Sequence, residues 1–208
     1  MPNFQYGFSM MMTKIIISIV LLGFTTLGFA DDTLNTKNLT LTQLYDQLIS
    51  LHLGRKGYTL GANLSPAQKE TSVSHLVEGA SPGTYKFIDG NLAVVADATT
   101  HRVMLLFEKF DDVSSQTIHD LVGSLFMDYD EPTTSAHDKI IYWAYDAKGK
   151  ISSQKFQKIK SQKKKPDILA TVKLNSSLEV LGREPTTDKG EAYYIISSPP
   201  LLKQFHLD

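Results

Sequence analysis

The chain has 208 residues, with 21 Lys and Arg against 22 Asp and Glu, and no cysteine. So balanced a charge excludes the overall basic field of a nucleic-acid binder. The lack of thiols excludes a disulfide scaffold, a cysteine nucleophile and thiol-linked lipid, so packing alone must hold the fold.

Residues 15–30 are uncharged and mostly apolar, preceded by Lys14 and followed by Asp31 and Asp32. At about 1.5 Å per residue this run falls short of the ~20 residues that span a bilayer. A cation, an apolar core and the small residues Gly28 and Ala30 together predict a signal peptide over 1–30, cut between Ala30 and Asp31. An uncleaved anchor is the competing reading, because tilt or snorkelling accommodates short segments. Residues before Met11 carry no cation, which makes Met11 or Met12 a candidate translation start beside Met1. Cleavage leaves 20 basic and 22 acidic residues on a soluble chain in the periplasm or outside the cell.

Thr40 and Gln43 have the spacing of a capping box, and Leu44, Leu48 and Leu51 recur on one helical face. Ser65, Pro66 and Gln68 open a second helix running toward Val77, whose apolar face of Val73, Leu76 and Val77 is thin. Strand-like runs follow at 84–88, 92–96 and 102–110, the first two separated by Asp89, Gly90 and Asn91, a hairpin signal. Ser114 caps a helix with one apolar stripe of Ile118, Leu121, Val122, Leu125 and Phe126. Runs at 140–145, 168–174 and 193–197 are again rich in β-branched and aromatic residues. The pattern predicts an α+β fold of two helix-plus-three-stranded antiparallel meanders in tandem, a two-layer sandwich. The same recurrence predicts one domain over 31–208, with two halves, 39–112 and 113–208, alike in their pattern of elements rather than in their residues.

Helices followed by a three-stranded meander in a small exported protein resemble the BamE and β-lactamase-inhibitor-protein type of fold. Within the second half, the helix over 114–126, then Asp130-Glu131-Pro132-Thr133, then the aromatic run from Lys139 to Tyr145 are similar to the helix, turn and aromatic strand of BamE-like proteins. Asp130 stands where that family carries glycine. A second likeness, to PepSY domains, rests on the turn of Asp97, Thr100 and His101. Both resemblances imply a binding or modulating module without a cofactor.

Eight lysines and no acid lie between Lys148 and Lys165, against about −10 on the rest of the cleaved chain. Lys158, Lys160, Lys163, Lys164 and Lys165 are therefore candidates for binding an envelope protein or an anionic lipid or polysaccharide surface. A solvated connection between two strands is the alternative. Phe156 is the only aromatic residue among these lysines, which argues against stacking on nucleic acid. Tyr142, Trp143 and Tyr145 are candidates for an exposed aromatic face, with ordinary sheet packing as the competing reading.

Asp128, Asp130, Glu131, His137 and Asp138 form the densest polar cluster and the one candidate metal site, though their spacing matches no EF-hand or H-E-x-x-H pattern. The remaining histidines, His52, His75, His101, His119 and His206, are scattered, and no G-x-S-x-G elbow or phosphate loop occurs. The sequence therefore predicts a non-catalytic binding or assembly protein, with a metal-dependent enzyme or hydrolase on the acidic loop 128–138 as the alternative.

Overall fold

The structure, a computed structural model, describes residues 39–181 and 184–207. The signal-peptide reading of 1–30, with its cleavage point, lies outside them. Among the described residues no helix is long and apolar enough to cross a membrane.

Helix α1 (Leu41–Ser50) begins where the Thr40 hydroxyl accepts from the Gln43 amide and the Gln43 side chain accepts from the Thr40 amide. Its Leu44, Tyr45 and Leu48 are buried. A small hairpin follows, β1 (Gly54–Arg55) against β2 (Tyr58–Thr59). Gly61 has φ +84°, and a Cβ there would stand 2.9 Å from both Leu48 Cβ and the Tyr45 carbonyl, so only glycine lets the chain leave the hairpin so close beneath α1. Helix α2 (Pro66–Ser74) carries the expected capping box at Ser65. It stops three residues short of Val77, and Leu76–Val77 forms an edge strand, β3. The expected apolar face does not turn inward: Val73 and Leu76 are 80% and 62% exposed. Two such residues cannot offset the pull of the hydrogen-bonded edge on the chain.

Strands β4 (Thr84–Asp89), β5 (Leu92–Asp97) and β6 (Val103–Ser114) form the first meander. Gly90, φ +62°, takes the first central position of its two-residue turn, the place a right-twisted hairpin gives to glycine. Helix α3 (Ser115–Tyr129), capped by the Ser114 hydroxyl, buries Ile118, Val122 and Leu125. Then come β7 (Thr134–Ala136), β8 (Ile140–Asp146), β9 (Gly149–Lys150), helix α4 (Ser153–Ser161), β10 (Ala170–Ser176), β11 (Lys189–Ser197) and α5 (Pro199–Gln204).

All pairings are antiparallel, and the large sheet runs β3-β4-β5-β6-β11-β10-β8-β7, with β9 hung on β8. The first meander therefore reads first, second, third strand, and the second continues third, second, first. The two fuse where β6 meets β11, Leu106 opposite Ile196 and Glu108 opposite Tyr194. One hydrophobic core fills the inner face, drawing on α1, the β1–β2 hairpin, α3 and α5 as well as both meanders. Each fully buried Leu, Ile or Phe in it contributes about 1.5–3 kcal/mol.

The outer face is not simply polar. Ile88, Ala93, Phe107, Ile195, Lys173 and Tyr142 lie opposite one another across six strands. In this row and the next, Ala93, Val95, Leu105, Phe107 and Ile195 form a second apolar cluster. Lys86 is buried on the same face, and burial pushes the ammonium groups of Lys86 and Lys173 below the ordinary lysine range.

Candidate functional site

The lysine-rich stretch is mostly helix. The Ser152 hydroxyl accepts from the Lys155 amide at 3.2 Å and starts α4, a cap that the two serines before Gln154 conceal from a hydrophobic-period reading. Phe156 turns inward against Ala144 and Ile151, with Tyr142 and Ile168 packed beside them. This third cluster fastens α4 to the outer face of β8. The expected solvated connection or arm is thus a pinned helix, and one buried aromatic residue was too little signal to reveal it.

Seven of the eight lysines divide by role. Lys150 closes the end of α3, its ammonium donating to the carbonyls of Tyr129 at 2.8 Å and Glu131 at 3.2 Å. Lys155 pairs with Asp146 at 2.6 Å. Lys160 lies over the Phe156 ring, 5.6 Å from its centroid. Lys158, Lys163, Lys164 and Lys165 are exposed, and none makes an ion pair with any described residue. The structure thus gathers all five predicted binding lysines onto α4 and the residues directly after it.

The aromatic candidates divide between the two faces of β8. Trp143 is 0% exposed, donates from Nε1 to the Asp130 carbonyl at 2.9 Å and packs against Phe126 and Tyr129. Tyr145 is buried in the same inner core, and Tyr142 sits under α4, where burial pushes its hydroxyl well above the ordinary tyrosine range. No exposed aromatic face exists at these positions. Strand alternation sent Trp143 and Tyr145 to the core and Tyr142 to the helix-covered side.

The acidic loop does not gather its ligands either. Asp130, φ +56°, ends α3 and leans toward Lys150 at 3.4 Å. His137 and Asp138 are the two positive-φ residues of the β7–β8 turn. Among the described residues no group of three or more His, Asp or Glu side chains is placed to hold a metal ion, so Asp128, Asp130, Glu131, His137 and Asp138 stay apart. Thr133 between them is structural: fully buried, it donates to the Ile151 carbonyl at 2.6 Å and accepts from the Ala144 amide at 3.0 Å.

Two buried carboxylates hold the inner face together, Glu108, which the sequence did not single out, and Asp97, which it offered only as part of a turn. Glu108 is 1% exposed, bonded by Arg55 at 2.7 Å and Lys56 at 2.6 Å. Burial opposes its ionisation, but the hydrogen bonds and charges of Lys56 and Arg55 outweigh burial and hold its carboxyl below the usual range. Asp97 accepts from the Thr99 and Thr100 amides and from the Tyr45 hydroxyl, which overcome burial in the same way. Beside it the Tyr85 hydroxyl meets His101 Nδ1 at 2.9 Å. Each acid is surrounded by partners that hold the fold together.

Comparison with protein-family models, with curated proteins and with solved structures finds no match.

Proposed function

We propose that this is an exported, non-catalytic binding module of the cell envelope, which meets an anionic partner through the lysine edge of α4. The single observation that carries this reading is the set Lys158, Lys163, Lys164 and Lys165, exposed and without an acidic partner among the described residues. Lys150 and Lys155, by contrast, spend their charge within the fold. An unpaired cluster of one sign is a field directed at something outside the fold. The apolar leader supports export, and the resemblance of 113–151 to BamE-like modules supports action by binding.

The test is retention of the purified protein on an anionic phosphocellulose matrix. We expect retention at about 50 mM salt and release near 500 mM, since exposed charges are screened within a Debye length. Replacing Lys158, Lys160, Lys163, Lys164 and Lys165 with glutamine should shift elution to much lower salt. Unchanged elution would refute the proposal.

A further inference from the structure

Helix α4 ends in a conformation that lysine does not favour. The Lys164 amide donates to the Ile159 carbonyl at 3.1 Å and the Lys163 amide to the Lys160 carbonyl at 2.9 Å, the paired bonds of a Schellman close. Lys163 occupies its left-handed position with φ +56°. Glycine is the usual residue there, because a Cβ crowds the following carbonyl. Lys158 and Lys160 already give the last turn its cations. The side chain of Lys163 thus sits at a conformational cost that no partner among the described residues offsets.

We infer that Lys163, Lys164 and Lys165, with Lys158, seat the protein on the phosphate plane of an anionic lipid bilayer, without insertion of the helix. This rests on the binding reading above and specifies its partner. Three features select a headgroup plane over an acidic protein or a nucleic acid. Protein interfaces are built around apolar and aromatic centres and are poor in lysine, and the large exposed apolar side chains of the described residues, Val73, Leu76 and Met127, all lie outside 148–165. The segment has no arginine, the residue suited to forked recognition of single phosphates, whereas lysine acts as a mobile point charge. The one strongly apolar flank of α4 is taken up by Phe156 against the sheet, so no free face is left to enter the acyl region.

The test is co-sedimentation with vesicles of phosphatidylcholine alone and of phosphatidylcholine with phosphatidylglycerol at roughly three to one, at low and high salt. The expected result is binding to the anionic vesicles only, lost at high salt, with Trp143 emission unchanged. Replacing Lys163, Lys164 and Lys165 together with glutamine should lower partitioning about a hundredfold. Lys163→Gly separates folding from binding: glycine suits the backbone, so the melting temperature should hold or rise while partitioning falls about fivefold. Parent-like binding by either variant, or a lower melting temperature in Lys163→Gly, overturns the inference. Retention on immobilised polyaspartate without binding to vesicles overturns it while leaving the anionic-partner reading standing. Binding to neither vesicles, polyaspartate nor phosphocellulose overturns both.

Discussion

The Tyr194 and Tyr129 hydroxyls share a hydrogen bond at 2.7 Å, and the Tyr129 hydroxyl also reaches the Gly54 carbonyl at 3.3 Å. The pair ties the central strand β11 to the end of α3 and to the β1–β2 hairpin. Tyr194→Phe removes only the first bond and should cost about 1 kcal/mol. Tyr129→Phe strands a buried hydroxyl as well as the carbonyl and should cost about 2–3 kcal/mol. Urea unfolding of both single variants and the double variant measures the difference. Equal costs would show that the Tyr129–Gly54 bond adds nothing.

The Glu108 cluster is asymmetric. Arg55 and Lys56 reach water, whereas Glu108 does not. Removing both cations leaves a buried, uncompensated carboxylate, so Arg55→Met with Lys56→Met should destabilise by about 3 kcal/mol or more, and Glu108→Gln by only about 1–2. Chemical denaturation at neutral pH ranks them.

That cluster also sets the acid limit. The folded carboxyls of Glu108 and Asp97 lie below their ordinary values, so each contributes stability above the unfolded-state range near ~4. That contribution disappears as pH falls through the depressed folded values. Denaturation midpoints should therefore be level near neutrality and fall steeply below about pH 4, less steeply in Glu108→Gln. A midpoint independent of pH in that window refutes the assignment.

Lys86 is buried with no ion pair among the described residues, and burial alone pushes its ammonium down. A lysine with a lowered folded value binds fewer protons folded than unfolded, so its penalty is complete at neutral pH and fades as pH rises toward the ordinary lysine range. Lys86→Met should raise stability at pH 7 by about 1 kcal/mol, and the gain should shrink at alkaline pH. Thermal melts at the two pH values decide it.

Phe156→Ala should cost about 3 kcal/mol of local rather than global stability, because its cluster of Ala144 and Ile151 is separate from the main core. Hydrogen exchange is the readout: α4 amides should lose protection while β6 and β11 keep theirs. Uniform loss would show that α4 belongs to the cooperative core.

Helix starts were legible because caps are local. Thr40, Ser65 and Ser114 each bond the amide three residues on, as their spacing announced. The six long strands were legible from their β-branched and aromatic content, whereas the short strands β1, β2, β3, β7 and β9 and the pairing of β6 with β11 were not. Long-range features were not. Nothing near Glu108 in sequence names Arg55 and Lys56, which lie over 50 residues upstream on a hairpin of two-residue strands. The outer apolar cluster looked like ordinary strand composition, since continuous runs such as Val103 to Phe107 hide which face each side chain serves. The five lysines of the candidate site were visible as charge. Their helix was not, and neither was the left-handed backbone at Lys163, which depends on how the last turn closes.

The seam between β6 and β11 has a further consequence for how the chain becomes a protein. Leu105 finds its partner Ser197 about 90 residues later, so the middle of the sheet stays open until nearly the whole polypeptide is present. A fragment ending at residue 112 would expose β6 as a long apolar border ready to pair with another molecule. Such truncated chains should clump rather than fold.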